Sequence, residues 1–154
     1  MPYQNQIVKG SYILLIRLSR QQTIAIGKRQ AVPFSRGGYA YVGSAMGGLK
    51  SRLSRHLRGN KKPHWHIDYL LQRASISGII VCETEERAEC SIARALGSRF
   101  SSIPGFGSSD CQCPSHLFYA AGEGQMKLTI MAELSQLAMQ PRLVKIDSLQ
   151  EVMA

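Results

Sequence analysis

The hydrophobic positions near the N-terminus predict strands. Residues Ser11 to Leu18 are mostly Ile and Leu on both faces, which is typical of a central strand covered on two sides. Thr23 to Gly27 follows a polar gap and is predicted as the hairpin partner of that strand. From Tyr39 to Ser44 the pattern alternates and places two tyrosines on one face, so this segment is predicted as a third antiparallel strand.

Leucine and isoleucine at helical spacing predict three helices. The first covers Leu49 to Arg58, because Gly59-Asn60 stops the repeat of leucines. The second begins at Pro63, a residue suited to the first turn of a helix. The third runs from Thr84 to Leu96.

The remaining apolar segments are short. Ile76 to Cys82 is predicted as a strand, and Ser98 to Pro114, rich in glycine, serine and proline, as a loop. His116 to Ala121 and Lys127 to Met131 are predicted as two further short strands. The fold class is therefore α/β (α+β), with a small antiparallel three-stranded central sheet flanked by helices, an additional hairpin and C-terminal strands.

Length and hydropathy limit the class of protein. A chain of 154 residues has the size of one globular domain, and we expect residues 1–120 to form that domain and residues 121–154 to pack on it as an extension. No apolar stretch approaches the ~20 residues of a membrane span, and the polar N-terminus is unlike a signal peptide. We therefore expect a cytoplasmic protein, in which cysteines stay reduced instead of forming a disulfide framework.

Charge is distributed unevenly along the chain. The formal net charge is +9, and residues 1–67 contain twelve Lys or Arg and no Asp or Glu. This excess of positive charge indicates a polyanionic partner, and nucleic acid is the partner that we expect. The alternatives are a ribosomal or membrane-surface patch and a face that is only solvated.

The first predicted helix carries much of this charge. Arg52 and His56 lie four residues apart, so both side chains are expected on one face of the helix. Like charges at this spacing weaken a helix, which favours a nearby anion such as backbone phosphate. The alternatives are a solvated basic face and, for Arg52, a structural ion pair. The side chains expected to contact phosphate are Lys50, Arg55, Arg58, Lys61 and Lys62.

One carboxylate falls on the apolar side of a predicted helix. Glu89 shares its stripe with Ile92, Ala93 and Leu96, and a carboxylate facing a core is costly unless a cation or metal pairs with it. A hard divalent ion such as Mg²⁺ takes one or two carboxylates and completes its shell with water and phosphate oxygens. The alternative is an ordinary salt bridge from Glu89 to an arginine.

A possible zinc site lies in the predicted loop. Cys111-x-Cys113-x-x-His116 offers three ligands, and His64 and His66 are candidates for the fourth. One residue between the two cysteines is tighter than the usual spacing of zinc sites. A loop whose thiols and imidazole only pack or hydrogen-bond is therefore preferred over structural Zn²⁺.

Several motifs, taken in order, resemble those of the GIY-YIG nuclease superfamily. They are Gly10-Ser11-Tyr12, Tyr41-Val42-Gly43, Arg52, His56 and Glu89. Further segments are similar to the small stand-alone Uri-type group of that superfamily, and these are His64 to Leu70, Glu89-Cys90 and Phe106 to Cys111.

The resemblance implies a compact domain with a three-stranded antiparallel sheet that cuts phosphodiester bonds, in DNA above all, with one Mg²⁺ or Mn²⁺. Glu89 would hold the metal, and Tyr12 or Tyr41 would help to activate the attacking water. Arg52 would stabilise the charge on the phosphate, and His56 would assist proton transfer or positioning. The connection between the two tyrosine motifs is longer than the family's short hairpin, which implies an added strand.

Two alternatives stay open for these residues. A tyrosine, with its ordinary pKa near 10, is a poor base unless a cation or metal lowers that pKa, and tyrosines at alternating strand positions often only pack. The whole chain also fits a non-catalytic nucleic-acid-binding module on the same scaffold.

Overall fold

An antiparallel sheet of six strands organises the fold, which is mixed α+β. The computed structural model describes residues 8–28, 31–59, 61–108 and 111–146. The strand order is β6-β7-β4-β1-β5-β8, and β2 and β3 form a separate two-stranded sheet. In chain order the elements are β1 Gly10–Leu18, β2 Gln22–Ile24, β3 Val32–Phe34, β4 Gly37–Ala45, α1 Leu49–Leu57, α2 His66–Leu71, β5 Ser75–Glu83, α3 Glu89–Gly97, β6 Ser101–Ser102, β7 Leu117–Ala120, α4 Glu123–Gln136 and β8 Arg142–Val144.

The prediction of a three-stranded sheet is wrong, because β7, β6 and β8 extend the sheet beyond its three central strands. The central strands β4, β1 and β5 were each found from the sequence. The added strands β6 and β8 are two and three residues long, too short to show a period of alternation. The strand β8 pairs with β5, while residues 147–154 lie outside the described part of the chain.

The expected pairing of Thr23 to Gly27 with the first strand is also wrong. The edges of β1 are occupied by β4 on one side and β5 on the other, so no edge is left for a third partner. Instead β2 pairs with β3, and the buried side chains of Ile24 and Phe34 pack onto the core of the main sheet. The long connection between β1 and β4 therefore forms its own hairpin.

Two predictions about helices need correction. Lys127 to Met131, predicted as a strand, lies inside α4, whose buried residues Met126, Ile130 and Leu134 recur every four positions. The segment Lys127 to Met131 contains only one of these buried residues and is therefore too short to show the helical period. The helix predicted from Thr84 begins at Glu89, because the Thr84 hydroxyl accepts a bond from the Glu86 amide and holds a local turn.

The other two helices match their predicted places more closely. Helix α1 ends at Leu57, one residue before the predicted end, and Asn60 lies outside the described residues. Helix α2 begins at His66, three residues after the predicted start at Pro63. Among the described residues, no helix combines the length and the apolar composition that crossing a membrane requires.

Two hydrophobic cores cover the two faces of the sheet. One contains Tyr12 and Leu14 of β1 with Leu53 of α1 and residues of α2, and the β2–β3 hairpin closes it. The other contains Ile13 of β1 and Val42 of β4, packed against α3 and α4. Because both faces are covered, β1 is apolar on both faces, which confirms its prediction as a central strand.

We predict that Gly10→Ala destabilises the fold by about 1–3 kcal/mol. A Cβ atom at Gly10 would lie 2.3 Å from the backbone oxygen of Cys82, so β1 and β5 would have to separate locally. Urea unfolding monitored by circular dichroism measures the loss. The control is Gly47→Ala, whose Cβ would meet nothing within 4 Å. Equal unfolding midpoints for the two variants would contradict the prediction.

Candidate active site

A cleft of about 390 Å³ opens where β7 stops pairing with β4. The pairing covers Gly38 to Tyr41, and one more bond joins the Val42 amide to the His116 carbonyl at 2.9 Å. Beyond it the second half of β4 lines the cleft with its free edge. Elements from both faces of the sheet reach this edge, so α1 and the start of α3 meet there.

Arg52 of α1 forms part of the cleft wall. Its Nη1 donates to the carbonyl oxygen of Ser44 at 2.9 Å, and its guanidinium carbon lies 4.6 Å from the centre of the Trp65 ring. The hydrogen bond and the ring hold the guanidinium in one place beside β4. Its remaining N–H groups are donors suited to an anion in the cleft.

Tyr12 and His56 form a buried pair behind the cleft. The Tyr12 hydroxyl lies 2.6 Å from His56 Nε2, and the two side chains are 1 % and 3 % exposed. Tyr12 is the register partner of Gly43, and a Cβ on Gly43 would lie 2.5 Å from the Tyr12 hydroxyl. The glycine of the second motif thus leaves the space that the first motif's tyrosine occupies.

The burial of this pair changes both pKa values. Burial lowers the pKa of His56 to about 3, against a smaller opposing effect of Asp68, so the imidazole is neutral at pH 7. Burial also raises the pKa of Tyr12 to about 12, although the neighbouring Arg52 lowers it in part. His56 Nδ1 is a buried atom without a hydrogen-bond partner among the described residues. At neutral pH both members of the pair are therefore uncharged, because Tyr12 keeps its proton and His56 takes up no second one.

Tyr41 faces the cleft itself. Its ring stands edge-on to His56 at 6.2 Å and to Phe106 at 6.3 Å between ring centres. Gly107, whose φ of 70° favours glycine, lets the loop backbone pass close to the ring. Burial raises the pKa of Tyr41, so this phenol is also protonated at neutral pH.

Glu89 is the first residue of α3 and lines the cleft from the opposite side of the sheet edge. Its side chain is 21 % exposed, and Arg87 Nη1 lies 3.8 Å from its Oε1. The salt bridge that we considered is thus present but weak, because it is long and Arg87 is 70 % exposed. Glu89 is the one carboxylate among the described residues of the cleft.

This donor set fits a divalent ion of the magnesium type. Mg²⁺ is commonly bound by one or two carboxylates, with water and substrate phosphate in the other positions. The cleft offers the Glu89 carboxylate and open space beside it, while Arg52 and Arg87 would face the phosphate.

The five predicted catalytic residues therefore divide into two groups. Tyr41, Arg52 and Glu89 line the cleft, whereas Tyr12 and His56 lie directly behind it. Arg87 and His116 also line the cleft, although neither belongs to the five predicted catalytic residues. Ser109 and Asp110 of the motif Phe106 to Cys111 lie outside the described residues.

The predicted phosphate-binding side chains differ in their availability. Arg55 forms two hydrogen bonds with the carboxylate of Asp68, at 2.9 and 3.0 Å, so the structure gives it a protein partner. Lys61 Nζ donates to the Arg58 carbonyl at 2.7 Å and closes the end of α1. The side chains left exposed to solvent are Lys50, Arg58 and Lys62.

Asp68 binds Arg55 and also anchors the start of α2. Its Oδ2 accepts the backbone amides of His64 and Trp65 at 2.8 and 2.9 Å. Burial alone would raise the pKa of Asp68, but the bonds from Arg55 and the two amides outweigh it and lower the pKa. A fixed negative charge thus lies beside the basic helix.

The cysteines of the loop meet a partner that we did not predict. Cys90 of α3 joins Cys111, Cys113 and His116, and one ligand atom from each lies within 4.8 Å of the others. Neither of the candidates for the fourth ligand, His64 and His66, belongs to this cluster, and His66 Nδ1 accepts the Gly107 amide at 3.0 Å. The only sequence signal for Cys90 was its place directly after Glu89.

Comparison with known proteins identifies a family whose function is unknown. A family model described as "Domain of unknown function DUF123" matches residues 11–139. No curated protein and no solved structure matches the chain.

We predict that the free energy of unfolding falls by about 2 kcal/mol from about pH 8 to about pH 5 through His56 alone. The pKa of His56 is about 3 in the folded protein, whereas the ordinary value of 6.5 applies to the unfolded chain. In this window the unfolded state therefore binds more protons, and acid favours it. Urea unfolding across this range measures the effect. His56→Gln removes this part of the pH dependence, whereas His64→Gln, at an exposed position, keeps it. Parallel curves for wild type and His56→Gln would contradict the prediction.

Proposed function

The chain belongs to the DUF123 family, and we propose that it is a divalent-metal-dependent endonuclease that hydrolyses phosphodiester bonds in DNA. The observation that carries the proposal is the meeting of Glu89, Arg52 and Tyr41 in one cleft, with the Tyr12–His56 pair behind it. These five residues come from four elements, β1, β4, α1 and α3. Their order along the chain supports membership of the GIY-YIG superfamily as part of the same proposal.

The proposed division of work follows from the charges. Glu89 would hold the divalent ion, which supplies acidification of water and neutralisation of phosphate charge when bound. Arg52 would bind the phosphate and stabilise the negative charge that develops during hydrolysis. Its hydrogen bond to Ser44 and its contact with Trp65 fix it before substrate arrives, so little reorganisation is needed.

The phenols have different parts in this proposal. Tyr41 keeps its proton and would donate a hydrogen bond to the phosphate or the attacking water, since its ring faces the cleft. In its ionised form Tyr12 would accept the proton of the attacking water, and His56 Nε2, to which the Tyr12 oxygen is hydrogen-bonded, would hold it in place. Burial is the main cause of the raised pKa of Tyr12 and the Glu89 charge adds to it, so a cation on Glu89 favours the ionised form of Tyr12.

Nucleic acid would be held by exposed cations, among which Lys62 lies close to cleft residues in the sequence. Lys62 lies two positions before His64, a cleft residue, whereas Lys50 lies on a different face of α1 from Arg52. Such contacts go to phosphate, so they position a nucleic acid without reading its sequence. We therefore propose that the protein recognises the phosphate backbone of DNA and not its base sequence.

A non-catalytic nucleic-acid-binding module is the second candidate, and the burial of both phenols favours it. A base that holds its proton as tightly as Tyr12 is inactive until a cation lowers its pKa. Both candidates bind nucleic acid, but only the endonuclease needs Glu89 and a divalent ion. Cleavage tested on supercoiled plasmid, single-stranded and branched DNA, with and without Mg²⁺ or Mn²⁺, separates them.

We predict that Glu89→Gln lowers the rate of metal-dependent cleavage by at least about 100-fold, because the charge that holds the metal is lost. Plasmid nicking followed over time measures the rate. The matched control is Glu86→Gln, which removes the same charge from an exposed residue outside the cleft. Equal cleavage by wild type and Glu89→Gln would remove the basis of the endonuclease proposal.

We predict that Lys62→Gln weakens binding of DNA similarly for unrelated sequences. One lost phosphate contact should reduce the slope of log K against log salt by about 0.9. Fluorescence anisotropy at several salt concentrations, without divalent ions, measures this slope. The control is Lys145→Gln, since Lys145 is exposed but lines a different cavity, with Gly38 and Tyr39. An unchanged slope for Lys62→Gln would exclude Lys62 from the interface.

A further inference from the structure

A cluster of three thiols and one imidazole lies beside the cleft and is not used by the proposed reaction. Its residues are Cys90 in the first turn of α3, Cys111 and Cys113 in the loop before β7, and His116 at the end of that loop. Cys111 and His116 also line the cleft, while Cys90 and Cys113 line a neighbouring cavity. The cluster thus joins two parts of the chain.

The spacing of the ligand atoms is close to that of a tetrahedral metal site. With Zn–S bonds of about 2.3 Å and Zn–N bonds of about 2.0–2.1 Å, neighbouring ligand atoms of a tetrahedron lie about 3.5–3.8 Å apart. Cys111 Sγ and His116 Nε2 are 3.4 Å apart, and all four ligand atoms lie within 4.8 Å of one another. Small side-chain rotations therefore suffice to surround one ion.

The three sulfur donors and one nitrogen donor of the cluster favour zinc. Thiolate sulfur is a soft ligand that favours zinc over the hard ions Mg²⁺ and Ca²⁺, and a set of three cysteines and one histidine is a common structural zinc set. Four protein ligands leave no open position for water or substrate, so the ion would have a structural role. We propose that Cys90, Cys111, Cys113 and His116 bind one structural zinc ion.

The backbone around His116 prepares this site. The His116 amide donates to the Phe106 carbonyl at 2.8 Å, and the His116 carbonyl accepts the Val42 amide. The Gly105 amide donates to the Pro114 carbonyl at 2.7 Å, so the loop is closed at its base. His116 is therefore fixed to β4. A zinc ion would connect Cys111 and Cys113 of the loop, and Cys90 of α3, to His116.

A zinc ion on Cys90 would also affect Glu89, the residue before it. Zinc bound to Cys90 fixes the first turn of α3, and Glu89 belongs to the same turn. The ion would thus set the position of the cleft carboxylate relative to β4. Zinc binding itself rests on the four ligands alone and holds whether or not the protein cuts DNA.

Metal analysis of the full-length protein tests the proposal. Protein purified under reducing conditions with zinc present, then dialysed, should contain one zinc per chain by plasma mass spectrometry. Replacement by Co²⁺ should give the visible bands of a tetrahedral site and a thiolate-to-cobalt charge-transfer band. Removing zinc with a strong chelator should lower the thermal unfolding temperature, because metal binding contributes to folding.

Paired cysteine variants make the test specific. Cys113→Ala should lose the bound zinc, whereas Cys82→Ala, which removes a buried thiol of β5 outside the cluster, should keep it. Folded, reduced wild-type protein without bound zinc would overturn the proposal, as would iron in place of zinc or equal loss of zinc in both variants. If Cys113→Ala does not fold, the zinc content and the cobalt spectrum of the wild type decide the question.

Discussion

The candidate site depends on the point at which β7 stops pairing with β4. Strand β4 has nine residues, and β7 covers only the stretch from Gly38 to Tyr41. An open strand edge usually invites pairing with another chain, and proteins cover or distort it. Here the edge is flanked by Arg52 from one face of the sheet and Glu89 from the other. The Ser44 carbonyl on this edge is satisfied by the Arg52 guanidinium.

The basic helix α1 is tolerated because part of its charge is neutralised within the protein. Asp68 pairs with Arg55, and the guanidinium carbons of Arg55 and Arg52 lie 4.1 and 4.6 Å from the centre of the Trp65 ring. Removing Asp68 would leave a half-buried guanidinium unpaired and free two amides at the start of α2. Some cations that look like nucleic-acid contacts in the sequence are therefore parts of the scaffold.

Long apolar patterns predicted the central strands and α1, because many residues share one period there. Two predictions were wrong because a segment of five residues carries too little pattern. Lys127 to Met131 fits the period of a strand as well as that of a helix, and Thr23 to Gly27 could pair with more than one strand. Tertiary packing decides between these possibilities. For the site, motif order pointed to residues that the fold brings to one edge, but it could not show that Tyr12 is buried behind Gly43. Cys90 was missed because spacing within one loop says nothing about a ligand from another element.

The β2–β3 hairpin has an influence that reaches beyond its own small sheet. Its Phe34 ring meets Phe106 edge-on at 6.3 Å, and Phe106 in turn touches the rings of Tyr41 and His66. A chain of aromatic rings thus runs from this hairpin to the wall of the cleft. Sequence changes in the β2–β3 hairpin can therefore alter the shape of the cleft indirectly, without replacing a residue that lines it.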